Sequence, residues 1–233
     1  MNCMSRAHLF FFGAGLLVLS LVSCHNNETI NEKNVNPQSI YFDYRVWGDE
    51  DAGYMTTRLQ YRVGTINLLL IDPSKAELDG VVMKADSSKM NGIYYESAKP
   101  VKEFAGSHSI VFTDVNGKQY REEFDFQPIS LKQNLPAVIN RGDLVLELDG
   151  LKPNDPVKIM LSDTASFSEG IDRVDTVKNG QIVITADDLQ KLVSGPVHLE
   201  LSREIERRVR NGTRQGGKLV VFYELKREFQ LKD

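Results

Sequence analysis

From Ile40 onward, apolar and polar residues alternate with a period of two, and this alternation restricts the chain to sheet architectures. Ile40, Phe42, Tyr44 and Val46 alternate with Tyr41, Asp43, Arg45 and Trp47, and Met55, Thr57, Leu59, Tyr61 and Val63 repeat the pattern. Successive side chains of a strand point to opposite faces, so each run predicts a strand with one buried face. Between them lies the acidic loop Gly48-Asp49-Glu50-Asp51-Ala52-Gly53. Shorter runs follow at 66–71, 76–78, 81–84 and 93–96, punctuated by the turn dipeptides Asp79-Gly80 and Asn91-Gly92. The clearest hairpin joins 107–113 to 119–126 across Asn116-Gly117, residues that accept the left-handed turn conformation.

About seven short strands in about ninety residues, with no helix between them, predict an antiparallel sandwich of immunoglobulin-like (Ig-like) size. The cysteine pair and intervening tryptophan of antibody domains are missing, so this likeness is one of architecture. A boundary is expected near residue 130, where Pro128 and Pro136 bracket a polar stretch. Beyond it, 144–148, 157–161 and 181–184 read as strands. Thr185, Asp187 and Asp188 predict the start of one short helix carrying Leu189, Leu192 and Val193, ended by Gly195-Pro196. Two long alternating strands, 197–209 and 219–231, close the chain. The expected fold is all-β: two antiparallel Ig-like β-sandwich domains in tandem, residues 39–130 and 131–233, with one short helix in the second.

The first 23 residues read as a targeting segment. Arg6 supplies positive charge, and the apolar run from Leu9 to Leu21 is too short to span a bilayer as a helix. The sequence Leu21-Val22-Ser23-Cys24 resembles the lipobox of bacterial lipoproteins. That resemblance implies cleavage before Cys24, acylation of its thiol and new amino terminus, and durable anchoring by two or three chains. Residues 24–38 hold five asparagines between His25 and Ser39 and predict a flexible tether with a reach of roughly 20 Å. The family resemblance, with His25 rather than aspartate after the cysteine, favours the outer membrane; a Bacteroidetes-type origin leaves periplasmic and surface faces both open.

Without residues 1–23 the chain loses Arg6 and no acid, leaving 27 basic and 32 acidic side chains and a net charge of −5, which points away from nucleic acid. Cys24 is then the sole cysteine, so no disulfide is expected. The remaining histidines, His25, His108 and His198, make no metal-ligand spacing, and no nucleophile elbow, P-loop or dinucleotide motif is present. No catalytic residue, cofactor or metal is assigned, and the chain is expected not to be an enzyme.

Several candidate sites stand against blander readings. Tyr41 and Trp47, interleaved with Asp43 and Arg45, form a candidate glycan platform, because ring faces meet sugar C–H groups while charges bond hydroxyls; the alternative is packing of Trp47 at a sheet edge or against the second domain. Arg207, Arg208, Arg210, Arg214 and Lys218, with no acid between them, would attract a polyanion, or merely protect a hairpin tip from edge pairing. Asp49, Glu50 and Asp51 supply oxygens suited to calcium but lack the spacing of a calcium loop. Thr164 and Thr176, in Asp163-Thr164-Ala165 and Asp175-Thr176-Val177, resemble O-glycosylation acceptors of Bacteroidetes envelope proteins. Arg141-Gly142-Asp143 spells an adhesion tripeptide that a turn also favours. The leading expectation is a lipid-anchored, non-catalytic binding or assembly module with the membrane and a glycan or envelope protein as partners. The alternatives are a glycan-binding surface lipoprotein and, after it, a carbohydrate-active hydrolase.

Overall fold

In the computed structural model, which describes residues 29–165 and 167–233, the period-two runs become strands whose apolar faces are almost wholly buried. The first half contains β1 (Thr29–Asn31), β2 (Tyr41–Asp49), β3 (Tyr54–Val63), β4 (Ile66–Leu69), β5 (Lys75–Leu78), β6 (Val81–Val82), β7 (Ala85–Ser88), β8 (Gly92–Pro100), β9 (Gly106–Thr113) and β10 (Gln119–Phe126), with one helical turn, α1 (Val101–Phe104), before β9. The second half contains β11 (Ser130–Leu131), β12 (Val138–Asn140), β13 (Leu144–Asp149), β14 (Pro156–Asp163), β15 (Ile171–Thr176), β16 (Gln181–Ile184), α2 (Ala186–Gln190), β17 (Gly195–Arg208) and β18 (Gly217–Lys232).

The class is all-β, with sheets packed face to face. One large sheet runs β1-β4-β3-β2-β18-β17-β14-β15, with β7 and β8 added beside β3 and β12 beside β18. Smaller sheets, β10-β9-β5-β6 and β11-β13-β16, cover its two halves. In the first half, Phe42, Tyr44 and Tyr61 of the large sheet meet Phe112 and Tyr120 of the covering sheet, with Phe42 and Phe112 centroids 5.2 Å apart. Rings at such offsets add attraction to the burial of their area.

Most pairings are antiparallel, but β1/β4, β12/β18 and β2/β18 are parallel. The last matters most. Its register runs from Gly217 opposite Phe42 to Glu224 opposite Asp49, so the start of the final strand completes the first half of the molecule. A β18 of 16 residues extends about 50 Å. The division expected at 130/131 is therefore crossed by a continuous sheet, and buried residues of both halves form one cluster. The glycine at 217 has a steric reason: a Cβ there would lie 2.5 Å from the Phe42 carbonyl oxygen.

The tether is corrected from residue 29 onward. β1 pairs with β4, and two 3-10 turns follow, Glu32–Asn34 and Pro37–Ser39. Two of the asparagines that made this stretch look like a linker are caps: Asn31 Oδ1 accepts from Lys33 N at 3.0 Å and Asn36 Oδ1 from Gln38 N at 2.9 Å. Ile30 and Val35 pack against the core. The leader, Cys24 and residues 25–28 lie outside the described residues.

α2 begins where the sequence places it. Thr185 accepts from Asp188 N, and the Asp188 carboxylate reaches back to Thr185 N at 3.2 Å, a reciprocal capping box. Burial alone would raise the Asp188 pKa, but hydrogen bonds from Arg173, the Thr185 backbone and hydroxyl, and Lys191 lower it to about 2. A carboxyl whose folded pKa is depressed contributes stability above its unfolded pKa and loses it as pH falls through the folded value. Asp188→Asn should thus cost about 2 kcal/mol above about pH 4 and almost nothing near pH 2, which urea unfolding at the two pH values measures.

Candidate functional site

The parallel β2/β18 seam brings together two groups of residues that are 160 or more positions apart in sequence. On the face of the large sheet opposite the core, Asp43 lies beside Lys218, Arg45 beside Val220 and Trp47 beside Phe222. Arg208 follows Lys218 across the hairpin, while Arg62 and Arg58 of β3 lie beside Tyr41 and Arg45. The aromatic face and the basic hairpin tip are one surface.

Its charges are mostly paired. Asp43 is buried beneath two arginines, accepting from Arg62 Nη2 at 2.5 Å and Arg45 Nε at 3.2 Å, so it organises the face rather than meeting solvent. Arg62 lies 5.7 Å from the centre of the Tyr41 ring. Half-buried Trp47 is covered in turn: the Arg58 guanidinium is 5.1 Å from its ring centre and 4.4 Å from that of Tyr94, and Glu96 holds Arg58 at 2.7 Å. Such cation–π layers contribute about 1 kcal/mol at partly exposed sites. Arg58 thus occupies the ring surface that a sugar would need at Trp47, whereas Tyr41 keeps an approach from the tip.

The five basic candidates divide. Arg207 points to the other face, where its guanidinium pairs with the buried carboxylate of Glu122, which also accepts from Arg210 N at 2.6 Å. Lys218 stands 3.8 Å from Glu206. Arg208, Arg210 and Arg214 are exposed, and none forms an ion pair among the described residues. A depression of about 720 Å³ has Tyr41, Arg208, Arg214, Lys218 and Gly216–Gly217 in its lining, with one acid, Glu206, among them. Farther along the same strands the face turns acidic, with Glu200, Glu204 and Glu224 around a second depression.

A somewhat larger depression, about 800 Å³, lies on the opposite side between β10 and the β17–β18 hairpin. Two of its three acids are engaged, Asp125 accepting from Ser107 Oγ at 2.6 Å and Asp79 meeting His108 Nδ1 at 2.9 Å, Ser109 N at 2.9 Å and Lys99 Nζ at 3.2 Å, while exposed Glu123 stands 3.9 Å from Arg121. Burial would raise the Asp79 pKa, yet these partners lower it overall. A glycosidase acid needs the reverse shift. His108 stacks on Phe104 at 3.9 Å and is a packing residue.

The remaining candidates are placed individually. Glu50 pairs with Arg227 of β18 and Asp49 Oδ1 accepts from Ala52 N at 2.6 Å, so two of the three acids of the loop are engaged and Asp51 is exposed. No group of three or more His, Cys, Asp or Glu side chains converges among the described residues. Thr164 and Thr176 are exposed, the first after β14 and the second at the end of β15. Arg141 is tied to Asp233 at 2.7 Å and Asp143 accepts from Ala186 N at 2.8 Å, so neither end of that tripeptide is free.

No family model and no curated protein matches the chain. Among solved structures it is similar to the IG1+IG2 pair of DIP-gamma, at 9% identity over 84% of this chain and 98% of that one with a TM-score of 0.24. It is also similar to tandem Ig domains of titin, at 10% identity over 83% and 96% with a TM-score of 0.24. A third, the Bacteroides ovatus SGBP-B of a mixed-linkage glucan utilization locus, shows 11% identity over 77% of this chain and 53% of that one, with a TM-score of 0.23. Superpositions this loose assign neither ligand nor partner to the chain.

Because Trp47 is the sole tryptophan, its cover can be read directly. Arg58→Ala should shift its emission to the red and increase quenching by acrylamide; unchanged fluorescence would mean that the guanidinium does not shield the ring.

Proposed function

We propose that this chain is a lipid-anchored protein of the bacterial outer membrane that binds an acidic glycan without catalysis, using the face near the β17–β18 tip. The supporting observation is the depression shared by Tyr41, Arg208, Arg214 and Lys218. A sugar ring stacked on Tyr41 would place carboxylate, phosphate or sulfate substituents within reach of guanidinium groups that have no acid of their own. The anchor rests on the Leu21-Val22-Ser23-Cys24 lipobox, and the choice of membrane on His25. Permanent attachment raises the local concentration of binder at a surface, so modest affinity per site suffices.

Binding of purified lipopolysaccharide and polygalacturonate should exceed that of a neutral glucan and fall with salt. The double replacement Arg208→Ala/Arg214→Ala should weaken it roughly tenfold or more, since a charged hydrogen bond contributes about 1.5–3 kcal/mol. Tyr41→Ala should also weaken it and Trp47→Ala should leave it nearly unchanged. Equal binding of neutral and acidic glycans, insensitive to the arginines, would refute the site. For the anchor, Cys24→Ala should release the protein from membranes and remove the acyl mass seen in the intact protein.

A further inference from the structure

The Glu32 carboxyl takes no part in the face described above, yet among the described residues it is the one acid whose two oxygens are both buried without a well-formed hydrogen bond. It lies in the 3-10 turn after β1 and is fully buried; only weak contacts from the Ser74 hydroxyl and the Val115 backbone reach its carboxyl, and neither Oε1 nor Oε2 makes a well-formed hydrogen bond. The groups facing it come from four directions: Ser74 before β5, Asp114 and the Val115 backbone after β9, Tyr61 on β3 and Tyr95 on β8. None is a cation, and the one charge, Asp114, has the same sign. Asp114 is itself satisfied, Oδ1 accepting from Asn116 N at 2.9 Å and Lys118 N at 3.0 Å.

An ionised carboxylate cannot remain in such a place without a counter-charge. Burial pushes the Glu32 carboxyl up; Ser74 and Val115 offset part of this, and Asp114 adds to it. The rest of the segment is lightly held, by three residues of β1/β4 pairing and the partly buried Ile30 and Val35. Immediately after it the chain is pinned. Gln38 donates to the Tyr120 hydroxyl at 2.8 Å, and its oxygens accept from Arg214 N and Gln215 N, both at 3.2 Å.

We propose that residues 29–35 form a proton-held clasp: neutral Glu32 keeps the segment docked on β4, and its ionisation drives the side chain into water and undocks the segment up to the Gln38 pin. The sign follows from linkage. An acid whose folded pKa is raised suffers no penalty at low pH and loses stability as pH climbs from the ordinary value, 4.5, to the raised one. Undocking seven residues adds up to about 25 Å of extended chain. That this lengthens a membrane tether rests on the lipid anchor proposed above, while the clasp itself stands without it.

The test is amide hydrogen exchange on the full chain, corrected for intrinsic rates, from pH 4.5 to about pH 8. Protection of residues 29–35 should fall with rising pH, by no more than about tenfold per pH unit since one proton is involved, while β2 and β18 stay protected. Glu32→Gln should remain docked throughout, and Asp114→Asn, by removing the charge that raises the Glu32 pKa, should make the loss smaller and complete at lower pH. Protection independent of pH in the wild type, or an equal loss in Glu32→Gln, would overturn the clasp. Protection that collapses on adding EDTA and returns with calcium would overturn it too, by showing that a cation rather than a proton neutralises Glu32. Acylation at Cys24 is read separately by mass, so failure of the anchor and failure of the clasp are distinct results.

Discussion

The parallel seam between β2 and β18 is the constraint on which the rest of the molecule depends. Without it, β2 would be an edge with its outer backbone groups unpaired, and the first half would lack the strand that brings Leu219, Val221 and Tyr223 into its core. The seam also fixes the arrangement of charge. By placing Lys218 beside Asp43, it sets the hairpin's arginines next to Tyr41 and leaves buried Asp43 as a support held beneath Arg45 and Arg62. Fold completion and surface chemistry thus follow from a single register.

Much of the strand content was legible because period two is a local signal. The runs containing Phe42, Leu59, Phe112 and Leu199 each declare their buried face without reference to a partner, and all four are fully buried. The capping box at Thr185 is likewise local. What the sequence leaves hidden is pairing between distant strands. Nothing in 217–224 marks it as a neighbour of 42–49 except Gly217, whose missing side chain permits close approach to Phe42 and reads in sequence as loop composition. The asparagines at 31 and 36 mislead for a related reason, since the residue that solvates a linker is also the residue that caps a short turn.

The same distinction separates the candidate residues. Charge runs are visible in sequence, but ion pairing is not. Arg207 and Arg208 look equivalent in the sequence, yet alternation sends the first to Glu122 on the other face and the second into solvent. Trp47 presents the converse case: its exposed-looking position is filled from the neighbouring strand by Arg58, a residue unremarkable in the sequence. Buried Glu32 was illegible altogether, because a glutamate in a polar stretch carries no sign that Tyr61, Tyr95 and Asp114 will close around it.

The hydrogen bonds from Arg214 and Gln215 to Gln38 have a mechanical consequence. They put the start of β2 within the same few residues as the hairpin tip that carries Arg208 and Arg214. A ligand gripped at that tip and a pull applied through residue 39 load the same end of the molecule. Tension would run through Gln38 and the first turns of the β2/β18 seam, sparing the second half, which would hang beyond the line of force as an unstressed body.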